Sequence, residues 1–201
     1  LLLSKRYFDA ASVVELTGDA MGALDKAAPV AAGDLILVSC ADLRGRKYLL
    51  ASFHGDTNGL ATLPVMAAVH GVAQSKPDHR LVFGLDANTY VKGSKKLQGV
   101  VEFAQDFVSK GYSSCWGDAP DPDNHTTFNA RTFLQPQLQK AAKASEKAAK
   151  GDKNPKDHIV FTKTAFEVAS TIKDNTGDRE YLEGVIFPTL AFPSDHGVVY
   201  S

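Results

Sequence analysis

Apolar positions along the chain gather into short runs separated by polar turns, and two spacings alternate. Residues 12–16 (SVVEL), 34–40 (DLILVSC) and 46–53 (RKYLLASF) are β-branched or apolar runs bounded by Gly, Pro and Asp, which predicts strands. The tight LRGRK stretch predicts a hairpin turn between the second and third. Residues 60–74 have the length and alanine content of a helix, with Pro64 tolerable only in its first turn. The continuous apolar run 80–85 (RLVFGL) predicts a strand covered on both faces. Leu97, Val101, Ala104 and Val108 recur at helical spacing within 95–110, and Gly111 stands where a left-handed C-cap is expected.

The C-terminal third is more mixed. Residues 113–136 read as loop, and 138–157 are rich in Ala and Lys, with strong helix formers up to Gly151. Lys140, Lys143, Lys147 and Lys150 make a loose basic stripe, either a solvated helix face or a contact for a phosphate backbone. Residues 158–163 and 165–172 predict an antiparallel pair, and 197–201 begin a last strand. Strands alternating with helices predict an α/β class. Neither a repeat nor a linker divides the chain, so residues 1–201 read as part of a single domain.

Composition narrows the partners. With 44% hydrophobic residues the chain can bury a real core, and a net charge of −1 provides no global field for nucleic acid or an anionic membrane. A polyanionic substrate must then be held locally, by a metal ion or a small basic patch. Cys40 and Cys115 have no metal-ligand spacing and read as small core residues, with one pairing between them left open. No apolar run is long enough to span a bilayer.

Four polar stations stand beside strand-like runs. They are His54 after YLLASF, Asp86 with Asn88 after LVFGL, Asp157 before HIVF, and Asp195-His196 before GVVY. Strand ends of layered α/β folds converge on one rim, so these stations can form one constellation. Singly, each has an ordinary account as a loop histidine, an Asx turn or a solvated acid. Their order, from "FHGDTN" through "GLDAN", "TTF" (126–128) and "KDHIVFTK" to "PSDHGVV", resembles the C-terminal half of the endonuclease/exonuclease/phosphatase superfamily, which is deoxyribonuclease I-like. One residue is inserted between Gly84 and Asp86 relative to the family's Gly-Asp-x-Asn motif, while Ser194-Asp195-His196 is intact.

The resemblance implies an α/β fold of α+β type, a layered sandwich of mixed β-sheet with flanking helices, and a Mg²⁺-dependent phosphoesterase, with Mn²⁺ as an alternative ion. It implies that His196 contacts phosphate or activates water, that Asp157 orients His196, and that Asp86 orients the nucleophile. Asn88 would donate to the phosphate, with His54 and Asn58 as further substrate contacts, and Asp195 would ligate the metal. Phe128 would support the site wall. The substrate, by the same resemblance, is a phosphate ester: nucleic acid, an inositol phosphate or a small phosphodiester. Family members draw a metal-binding Glu from an N-terminal half that this chain is expected to lack. None of Glu15, Glu102, Glu146, Glu167, Glu180 and Glu183 follows a strand in a way that replaces it. Two expectations follow. The open sheet face is covered by an N-terminal half of the same polypeptide or by a protein partner. And the chain is either an enzyme or a catalytically silent relative that serves as a structural or interaction subunit.

Overall fold

The computed structural model describes residues 4–129 and 152–201. Its centre is a mixed six-stranded sheet built from β1 (Val14–Glu15), β2 (Leu35–Ala41), β3 (Lys47–His54), β4 (Arg80–Asp86), β5 (Tyr112–Ser114) and β8 (Asp157–Thr162). The spatial order is β1-β2-β3-β4-β8-β5. Only β3 and β4 run parallel. A parallel pair needs a crossover, and α2 (Thr62–Gln74) supplies it. Pro64 falls in the first turn of α2, where its missing N–H has no intrahelical acceptor to serve.

Period-two patterning sorts the side chains onto two faces. Leu37, Ala51, Phe83 and Val160 form one row across four strands, all buried on the helix side. Val65, Met66 and Val69 of α2 pack there, together with Phe103 and Phe107 of α3 (Val100–Ser109). The other face carries the row Val38, Leu50, Val82 and Phe161. Val38, Cys40 and Leu50 are buried in a smaller cluster there, with Phe8, Ile36, Tyr48 and Val82 half-buried around it. Strand β4 is thus fully covered on its helix side and only partly on the other, which corrects the expectation of a strand covered on both faces.

Two further strand pairs lie outside the main sheet. β6 (Thr127–Asn129) pairs with β7 (Asp152–Asn154), and β9 (Ile172–Asp174) pairs with β10 (Val198–Tyr200). The short helix α1 (Thr17–Gly22) contacts α2 and β2. Phe128, Phe187 and Phe192 form a third small core.

Three expectations shift. Residues 165–172 do not pair with β8, because β4 and β5 already occupy both of its edges; Ile172 enters β9 instead. The helix expected over 95–110 begins at Val100, since Gly99 is extended (ψ 148°) and its predecessors are held in turns. Its buried face is Val100, Phe103, Ala104 and Phe107, one step from the expected stripe, and Val101 is exposed. Gly111, with φ of 86°, does follow the helix end. Strand β6 and most of β5 lie inside the stretch read as loop. The lysine stripe at 140–150 lies outside the described residues. Cys40 and Cys115 are buried free thiols. Among the described residues, no helix is long and apolar enough to cross a membrane.

Candidate active site

The strand register alone brings three stations together. His54 ends β3 opposite Asp86, which ends β4 opposite Asp157, the first residue of β8. Three adjacent strands therefore present one row of polar side chains at a single rim. His196 comes from outside the sheet, on the loop entering β10. That loop is fixed locally. The Ser194 hydroxyl accepts from the His196 N–H and donates to its carbonyl, while Gly197 N–H donates to Thr126 O at 2.8 Å.

His196 meets the row through its ring. Nδ1 lies 2.9 and 3.0 Å from the two Asp157 carboxylate oxygens, and Nε2 lies 3.7 Å from Asp86 Oδ2. His54 Nε2 approaches the same Asp86 oxygen at 3.9 Å from the opposite side. Asp86 thus sits between two imidazoles of unlike exposure, since the His54 side chain is 76% exposed and that of His196 27%. Burial alone would push the His196 pKa down. The hydrogen bond and charge of Asp157, with the charges of Asp86 and Asp195, outweigh burial and raise it to about 8. Asp86 is pushed up by burial and by the neighbouring Asp157 charge, against the pull of His196.

Asp157 is held from several directions. Thr126 Oγ1 donates to its Oδ2 at 2.6 Å, and the same hydroxyl accepts the Lys156 and Asp157 backbone N–H groups. Trp116 Nε1 donates to its carbonyl at 2.8 Å. A carboxylate so anchored keeps the His196 ring in one orientation. Thr126 lies in the "TTF" stretch that sequence reading connects with Phe128; its role rests on a three-way hydrogen bond that no spacing reveals. Phe128 itself is buried with Phe187 and Phe192 beneath this loop.

Asn88 is buried, with φ of 46°, in a left-handed conformation that Asn tolerates. Its Nδ2 donates to Gly55 O at 2.9 Å and to Asp86 Oδ2 at 3.0 Å, and its N–H donates to Asp86 Oδ1 at 2.9 Å. Both amide hydrogens thus serve the protein, and Asn88 joins the His54 loop to Asp86. Gly59 closes the same junction. With φ of 70° and Asn88 O only 2.6 Å from where a Cβ would stand, the position admits no side chain. Asn58 is exposed on this loop, which Asp56 secures by accepting the Asn58 and Ala61 N–H groups. Asp195 is exposed beside His196. Asp86, Asp157 and His196 each have one ligand atom within 4.8 Å of the others, a spacing that a metal ion could bridge, although the carboxylate oxygens also accept the hydrogen bonds described above.

No family model and no curated protein matches the chain. Solved structures do. Truncated Caenorhabditis elegans TDP2 is 16% identical, with a TM-score of 0.52, over 98% of this chain and 67% of that one. The human Nocturnin catalytic domain, solved with a bound sulfate anion, is 15% identical with a TM-score of 0.54, over 97% of this chain and 59% of that one. A conserved protein of unknown function from Enterococcus faecalis is 15% identical with a TM-score of 0.53, over 99% of this chain and 69% of its own length. The chain therefore spans 59–69% of the length of these neighbours. The layered mixed sheet, its flanking helices and these neighbours together identify the fold as deoxyribonuclease I-like.

Proposed function

We propose that the chain carries the His–Asp part of a divalent-metal-dependent phosphodiesterase site. The observation that supports this most is the Asp86 carboxylate set between His54 and His196, with His196 locked by Asp157. Cleaving a phosphate ester needs an oriented nucleophile and positive donors around the phosphoryl oxygens. With Nδ1 committed to Asp157, His196 has Nε2 left to donate to a phosphoryl oxygen, and His54 faces the same oxygens from the other side. Asp86 orients the attacking water and takes its proton. The water oxygen bonds phosphorus, and the ester oxygen departs and is protonated by solvent. Asn58 is a further contact for the substrate, whereas Asn88 reaches it only by exchanging one of its present bonds.

The side chains suit a loosely held, mostly hydrated Mg²⁺ or Mn²⁺ at the exposed Asp195 carboxylate. The oxygens of Asp86 and Asp157 already accept the bonds that orient the site. A bound ion supplies positive charge to the phosphoryl and leaving oxygens. Likeness to a catalytic domain solved with sulfate, a tetrahedral oxyanion like phosphate, supports the reading.

The test is hydrolysis of bis(p-nitrophenyl) phosphate with Mg²⁺ or Mn²⁺, against the same reaction in EDTA. Metal-dependent turnover that falls by about 10²-fold or more in His196→Ala and in Asp86→Asn is expected. Turnover retained in either variant overturns the assignment of roles. Absence of turnover in the wild-type protein leaves the silent interaction subunit as the better reading.

A further inference from the structure

Lys156 precedes Asp157, is 6% exposed, and its side chain turns toward the site rather than to solvent. Its backbone is pinned at both ends. The N–H donates to Thr126 Oγ1 at 2.9 Å, and the carbonyl accepts from Ala87 N–H at 2.8 Å. Nζ donates to Asn88 Oδ1 at 2.8 Å and lies 5.4 Å from the centroid of the Tyr90 ring. The Tyr90 hydroxyl in turn donates to Thr57 O at 2.8 Å, on the loop that follows His54.

A side-chain amide has one accepting end and one donating end. With an ammonium on Oδ1, the Asn88 Nδ2 must face Gly55 O and Asp86 Oδ2. Turning the amide by half a revolution would set its NH₂ against the ammonium and its oxygen against two acceptors. The cation thereby selects one of two amide orientations, and only that one donates to Asp86 Oδ2 beside the backbone N–H bond to Oδ1. Burying an ammonium carries a desolvation cost that a methionine of similar length would avoid.

We propose that Lys156 is a positioning residue of the site: acting through Asn88, it holds the Asp86 carboxylate in place between His54 and His196. The proposal rests on the hydrolytic reading for its consequence in turnover, but not for its geometry. Lys156→Met keeps the length of the side chain and removes the donor.

Two measurements test it. The first follows the Asn88 side-chain amide by ¹⁵N NMR, its resonances assigned by their loss in Asn88→Ala. In the wild-type protein both amide hydrogens exchange slowly with solvent; in folded Lys156→Met their exchange rises by about tenfold or more, as the orientation is lost. The second is turnover of bis(p-nitrophenyl) phosphate. There kcat falls by about 10- to 100-fold with KM little changed, and Lys156→Met adds no further loss in an Asn88→Ala background.

Unchanged amide resonances and exchange in Lys156→Met overturn the proposal, as do losses that multiply in the double variant. If Lys156→Met fails to fold, the wild-type exchange decides: an Asn88 amide exchanging as freely as a solvent-exposed one overturns it, and a protected one supports it. A wild-type protein without turnover refutes the hydrolytic reading alone, and the NMR measurement still decides the role of Lys156.

Discussion

Acid should weaken this fold through one histidine in its core. His158 is 2% exposed and lies in the row Leu35, Phe53, Leu85 and His158 on the helix side of the sheet, with the Phe103 ring edge-on at 5.3 Å. Its Nε2 donates to Pro155 O at 3.1 Å, while Nδ1 is a buried atom with no partner among the described residues. Burial pushes its pKa down to about 4, against the pull of the Pro155 carbonyl and the Asp157 charge. In the unfolded chain the same ring titrates near 6.5. Well above pH 6.5 both states are neutral and the ring contributes no pH dependence. As pH falls from 6.5 toward 4, the unfolded chain gains a proton that the fold refuses, so stability declines. The gap of about 2.5 pKa units corresponds to about 3 kcal/mol, complete once pH passes below about 4. His158→Leu fills the space with carbon and leaves the Pro155 carbonyl bonded to the Thr89 hydroxyl. Urea unfolding, followed by far-UV circular dichroism and by the fluorescence of Trp116, would be compared for the two proteins at pH 7.5, 6.5, 5.5 and 4.5. Carboxylates titrate alike in both, so the difference between the curves isolates the imidazole. The wild-type protein should lose about 2–3 kcal/mol more than His158→Leu between pH 6.5 and 4.5. Parallel curves would refute the reasoning.

Other perturbations test the packing and the joints of the site. Gly59→Ala forces a Cβ against Asn88 O in a left-handed backbone, and should lower stability by about 1–3 kcal/mol in chemical denaturation, with a similar midpoint to wild type counting against it. Phe103→Ala empties a fully buried site between α3 and the sheet, for a loss of about 3–5 kcal/mol by the same measurement. Thr126→Val removes the donor to Asp157 and the acceptor of two backbone N–H groups, so it should cost about 1–3 kcal/mol and also lower kcat on the phosphodiester probe. A variant that loses stability but keeps full kcat would show that the Asp157 anchor is dispensable for turnover.

What the sequence reveals and what it hides divide along a physical line. Strands β2, β3 and β4 declare themselves because continuous apolar runs between turn residues have few other uses, and the polar stations at their ends are visible for the same reason. The phase of α3 is less legible. Its aromatic pair Phe103 and Phe107 decides the buried face, while the periodic stripe counted from Leu97 includes residues held in a turn before the helix starts. Residues 165–172 have the composition of a strand, but composition carries no information on whether an edge of β8 is open. Lys156 and Thr126 are hidden more deeply. Each acts through a hydrogen bond to a residue about 30 or more positions away, and such pairings exist only after the sheet has brought β4, β8 and the loop before β6 together.

The site joins parts of unequal rigidity. His54, Asp86 and Asp157 are spaced by the ladder of the main sheet, so their separation changes only if strands slip, which would carry every core side chain to the wrong face. His196 has no such ladder to the sheet. Its loop is tied by the Gly197 N–H to Thr126 O, and its ring by Asp157, which Thr126 also holds. Thr126 is therefore one joint at which the β9–β10 pair and the main sheet are set against each other near the site. A displacement of about 1 Å at that joint would move His196 relative to Asp86 while leaving the sheet intact, and misplacement on that scale is enough to cost about 10²-fold in a reaction that depends on alignment. On the proposed phosphodiesterase reading, alignment is controlled less by the strands that display the acids than by Thr126, whose hydroxyl holds Asp157 and whose carbonyl holds the His196 loop.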